Sequence, residues 1–138
     1  MHGSVKGVWG YVWLRDTAVK AVDEQIQGNE DLFFWLGVND LDNIDNYISL
    51  LNEKIPQWKQ KGVQVHILAV GPVEKPDEYA DNKTIKAFNK KMKAQIAGAD
   101  FIDLYSWLTQ EGYKTVDGTH YDRETCIKIY NYIMRQVQ

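Results

Sequence analysis

The apolar positions of this chain follow two alternating rhythms. Three short runs, 32–37 (LFFWLG), 63–70 (VQVHILAV) and 99–104 (ADFIDL), are rich in β-branched or aromatic residues and bounded by turn formers. Runs of that length and composition predict buried strands. A weaker alternation from Val8 to Trp13 predicts one more. Between the runs, apolar residues recur every three or four positions. Ile44, Tyr47, Ile48, Leu51, Ile55 and Trp58 fall on one face of a helix over 44–60. Ile85, Phe88, Met92 and Ile96 do the same. So do Ile127, Tyr130, Ile133, Met134 and Val137, in a C-terminal helix that Asp122 is placed to cap. Residues 16–27 form a further helix. Strand and helix alternating along 138 residues predict one α/β domain, residues 1–138, with a mostly parallel sheet. Ligands of such sheets bind beyond the carboxyl ends of the strands.

Composition narrows the picture in three ways. Hydrophobic residues make up 44% and charged residues 25%, which suits a globular domain with a real core. A net charge of −3 leaves no basic excess to neutralise phosphates, so a nucleic-acid partner is not expected. The densest basic group, Lys90 to Lys93, lies on a predicted helix and reads as a solvated face. No apolar run approaches the length of a membrane span. With one cysteine, Cys126, no internal disulfide can form, and helical positions on both sides of it predict a core thiol.

Two stretches carry candidate chemistry. The first, Gly37-Val38-Asn39-Asp40, ends the second predicted strand. Gly37 lets the backbone turn sharply. Asn39 projects two amide donors from a strand-to-helix loop, and a donor aimed into a cleft stabilises an oxyanion. Losing one such donor typically costs roughly 3–4 kcal/mol of barrier. Asp40 is placed to anchor the loop. Taken alone, the stretch is better explained as a plain turn, since Gly, Asn and Asp are the commonest turn residues. The second stretch is Asp117-Gly118-Thr119-His120. Three residues of separation let Asp117 fold back onto His120, fix its tautomer and leave the other ring nitrogen as a base. A turn followed by a helix cap is the simpler alternative. His2 is terminal, and His66 alternates within a strand, which suits a structural role. The three histidines lack metal-ligand spacing, so neither a metal nor a cofactor is expected.

Taken together and in this order, the two stretches resemble the SGNH (GDSL-like) hydrolases. Gly37 to Asp40 match that family's third sequence block, and Asp117 to His120 its fifth. The resemblance implies a flavodoxin-like three-layer sandwich. It implies hydrolysis of small acyl esters, such as simple esters, lysophospholipids or acetylated carbohydrate. It further implies His120 as general base, Asp117 as its orienter and Asn39 as an oxyanion donor. The second block contributes a glycine N–H to the oxyanion hole. Gly10 is the match, with Gly7 as the alternative.

The family's Gly-Asp-Ser block has no counterpart here. Of the three serines, Ser49 lies inside the helix over 44–60, and Ser106 follows a strand, where capping is its cheaper explanation. Ser4 comes only six residues before Gly10, too close for the helix and loop that separate these blocks in the family. The resemblance therefore predicts an N-terminally truncated member, inactive as given, without its first strand and nucleophile. In the family that strand lies inside the sheet, so its absence would expose edges and favour self-association. The alternative is a non-catalytic module that binds a carbohydrate or acyl ligand in the retained cleft. Of the five tryptophans, Trp35 and Trp58 are expected in the core. Trp9 and Tyr11 beside Gly10 are the aromatic residues best placed to meet a sugar ring.

Overall fold

The computed structural model describes residues 11–36, 40–77 and 80–137. Three parallel strands form the sheet: β1 (Asp31–Trp35), β2 (Gln64–Leu68) and β3 (Asp100–Ile102), in the order β1-β2-β3. Phe33 pairs with His66, and His66 with Asp100, so these three lie on one face across the sheet. All three strands fall within, or one residue outside, the apolar runs that predict them.

Helices cover both faces. Val65 and Ile67 of β2 point toward α3 (Ile44–Gln60) and α4 (Asn82–Gln95). Leu68 points the other way, to a second cluster formed with Ile102 of β3, α5 (Leu104–Glu111) and α6 (Arg123–Gln136). This is the α/β three-layer arrangement that the sequence implies. Tyr47, Leu51, Ile55 and Trp58 of α3 are fully enclosed, as their spacing predicts. Trp58 stacks on Phe34 at 5.6 Å and donates its indole N–H to Asp23 at 2.7 Å, so its polar edge is satisfied. Asp122 caps α6 by accepting the Thr125 N–H at 2.9 Å.

Four sequence expectations need correction. Tyr11–Trp13 is helical (α1), not a strand; a π-helical segment, Leu14–Ala18, joins it to α2 (Val19–Gln25). Residues 8–10 of that expected strand lie outside the described residues. On α6 the buried line is Thr125, Ile129 and Ile133, while Ile127 and Tyr130 are exposed. The helix is apolar on two faces, and periodicity alone does not choose between them. Cys126, next to Ile127, is exposed rather than core. Trp35, the last residue of β1, is 37% exposed rather than core.

Candidate active site

The loop between α5 and α6 lies beside the carboxyl end of β2. Its base is an antiparallel bridge between Thr115 and Tyr121, and the Val116 N–H donates to the His120 carbonyl at 2.8 Å. Within that closed loop, Asp117 turns its carboxylate back on the chain. Oδ1 accepts the backbone N–H of His120 at 2.7 Å and of Thr119 at 3.0 Å. Oδ2 lies 2.6 Å from His120 Nδ1. The Thr119 hydroxyl stands 3.2 Å from the same nitrogen.

This geometry sets the charges. The N–H groups of His120 and Thr119, followed by the His120 ring, hold the Asp117 carboxyl well below the usual aspartate range. An ionised carboxylate only accepts, so a neutral His120 carries its proton on Nδ1 and its lone pair on Nε2. Nε2 has no hydrogen-bond partner among the described residues, and the His120 side chain is 58% exposed. The pair can therefore take up a proton from solvent or from a bound hydroxyl.

A rigid neighbour seats the loop. Asn89 and Asn82 of α4 each hold one residue of the chain after β2 by both its N–H and its carbonyl: Val70 at 2.8 Å for each bond, Val73 at 2.8 and 3.0 Å. Between these two residues, the Pro72 carbonyl accepts the Tyr121 hydroxyl at 2.7 Å. Gly71 makes room for that hydroxyl, since a Cβ there would lie 2.0 Å from it. Burial pushes the Tyr121 phenol well up, so it remains a neutral donor. No catalytic motif in the sequence includes Tyr121. The one local signal was a Gly-Pro step closing a strand.

The other candidate stretch is described only at Asp40. Its carboxylate accepts the Tyr11 backbone N–H at 2.9 Å, the Asn43 side-chain amide at 3.1 Å and the Tyr47 hydroxyl at 2.5 Å. It thus ties the start of α1 to the segment after β1. Burial, with Asp40 alongside, pushes the Tyr47 phenol far up. Asn39 and Gly37 precede Asp40, and Gly10 precedes Tyr11; these three, like Gly7, Ser4 and Trp9, lie outside the described residues. Tyr11 is half-buried with its ring edge-on to Tyr47, so one part of it is already packed. Trp35, at the end of β1, stacks its ring on Tyr121, the residue after His120, at 6.3 Å.

No serine hydroxyl bonds His120 among the described residues. Ser49 is exposed in the middle of α3. Ser106 lies in the first turn of α5, where its hydroxyl and N–H both go to Asp103, at 2.7 and 3.1 Å; Asp103 is the cap. No group of three metal-ligating side chains that could hold an ion occurs among the described residues. None of the described helices is long and apolar enough to cross a membrane.

No family model and no curated protein matches the sequence. The fold does have a solved neighbour, the protein YxiM of Bacillus subtilis, with 18% identity and a TM-score of 0.56. The match covers 83% of this chain and 38% of that one, so the chain spans well under half of its neighbour. YxiM has the SGNH-type fold, and the likeness is one of fold.

Proposed function

We propose that this chain carries the base and oxyanion parts of an SGNH-type ester hydrolase. The observation that supports this most directly is the Asp117–His120 pair. Its Nε2 is open to solvent beside the carboxyl end of a parallel sheet, where α/β domains bind their ligands. In this reading a serine oxygen attacks the acyl carbonyl while His120 Nε2 takes its proton. Asp117 steadies the imidazolium, and Asn39 with the Gly10 N–H holds the oxyanion. His120 then returns the proton to the departing alcohol, and water releases the acyl group by the same steps. The serine comes from chain outside these 138 residues. The substrate class is a small acyl ester, with acetylated carbohydrate as the specific candidate.

Labelling tests this. The 138-residue chain should show no serine-dependent turnover of p-nitrophenyl acetate and no reaction with a fluorophosphonate probe. Preceded by its own upstream coding sequence, the chain should react at a serine in a Gly-Asp-Ser block. In that longer chain, His120→Ala or Asp117→Asn should slow turnover on the order of 10⁴-fold. Stoichiometric labelling of Ser4 or Ser106 in the short chain would overturn the assignment. So would turnover in the longer chain that is indifferent to His120→Ala.

A further inference from the structure

One carboxylate that this mechanism does not use grips the Asp117–His120 loop from outside. Glu74 follows the segment that Asn82 and Asn89 hold. Its Oε1 accepts two hydrogen bonds from Thr115, one from the N–H and one from the hydroxyl, both at 2.6 Å. The Thr115 hydroxyl oxygen in turn accepts the Gly118 N–H at 2.9 Å. The Gly118 carbonyl then accepts the N–H groups of Glu74 at 2.9 Å and Lys75 at 3.1 Å. The connections close into a ring from the Glu74 carboxylate, through Thr115 and Gly118, back to the Glu74 backbone. Val116 and Asp117 lie between the two loop contacts. Gly118 adopts φ of 102°, and a Cβ there would lie 2.8 Å from Lys75 Cβ, so the ring also requires the glycine.

We propose that Glu74 is a positioning residue for His120, acting through Thr115 and Asp117; the proposal rests on His120 being the base. Thr115 holds the Glu74 carboxyl below the usual glutamate range, first through its hydroxyl and then through its N–H. The grip is therefore ionic at neutral pH and stronger than a bond between neutral groups. It fixes the chain on both sides of Asp117. The direction from which the Asp117 carboxylate meets Nδ1 follows from that. A staple serving stability alone would leave the His120 tautomer indifferent to Glu74.

Ring-nitrogen NMR of His120 in the 138-residue chain, at a pH where the imidazole is neutral, separates these roles. The wild type should be mainly the Nδ1–H tautomer, and Asp117→Asn should abolish that excess. Glu74→Ala should lower the Nδ1–H to Nε2–H ratio by about fivefold, with Glu74→Gln and Thr115→Val intermediate. Circular dichroism and the urea midpoint check that each variant is folded. Should Asp117→Asn shift the ratio while the folded Glu74 and Thr115 variants keep the wild-type value, the positioning role is overturned and the base assignment stands. Should the wild type show no Nδ1–H excess, the base assignment falls, and the Glu74 role falls with it.

Discussion

Among the described residues two histidines meet aspartates, and they do opposite things. His66 is 4% exposed in the middle of β2. Its Nε2 lies 2.8 Å from Asp31 of β1, its Nδ1 lies 3.2 Å from Asp100 of β3, and its ring stacks on Phe33 at 4.7 Å. Both nitrogens are occupied, and the contacts tie three strands together toward their amino ends. His120 sits in a loop beside the opposite end of the sheet, with one nitrogen on Asp117 and the other open. An aspartate beside a histidine does not by itself mark chemistry. A base needs a nitrogen left over and a route to it, and only His120 has both.

The largest effect that follows is on stability. His66→Ala removes a buried ring, its stacking on Phe33 and its ties to both flanking strands, and should cost about 2–4 kcal/mol. His120→Ala, on an exposed loop, should change stability by less than about 0.5 kcal/mol. Urea unfolding of the two variants measures the contrast. Equal losses would mean that the His120 loop is part of the core structure, and the contrast between the two sites would collapse.

Gly71→Ala tests how the second histidine is seated. The added Cβ would meet the half-buried Tyr121 hydroxyl, and moving that hydroxyl clear would break its bond to the Pro72 carbonyl. A loss of about 1–3 kcal/mol is expected, as for other overpacked sites. The ring shifts of His120 should move with it, while those of His66 stay in place. Unchanged His120 resonances would show that Tyr121 does not seat the loop.

What could be read from the sequence follows the range of the interactions. The strands, α3 and α4 were legible because apolar spacing records which face is buried; α6 was legible as a helix, but its buried face was not. The Asp117 fold-back was legible because it spans three residues. Long-range partners were not. The aromatic alternation of Trp9, Tyr11 and Trp13 imitates a strand. Yet Tyr11 begins a helix whose first N–H is held by Asp40, twenty-nine residues away. Glu74 meets Thr115 across forty-one residues, and no local pattern marks either of them. Ile127 and Ile129 are equally apolar in sequence, and only the packing of α6 on β3 and α5 decides which is buried.

The smallest effect concerns acid. Asp117 and Glu74 both have carboxyls held below their usual values, by loop N–H groups and the His120 ring in one case and by Thr115 in the other. A carboxyl lowered by folding contributes stability that is complete above its unfolded value and is lost as pH falls through its folded value. The Asp117 contacts should therefore persist at pH 3.8, where an unperturbed aspartate is half-protonated, and fail only below that, while the Glu74 contacts should be lost at a pH below the usual glutamate value of 4.5. Both groups are open to solvent, so the consequence is a local loosening of the loop while the sheet stays folded. Carboxyl carbon NMR gives the two midpoints, and the amide shifts of Gly118 and Thr119 report the loop. An Asp117 midpoint at or above 3.8 would mean that its carboxylate is not held by the His120 and Thr119 N–H groups in solution. The tautomer preference of His120, and with it the difference between the two histidines, would then lose its cause.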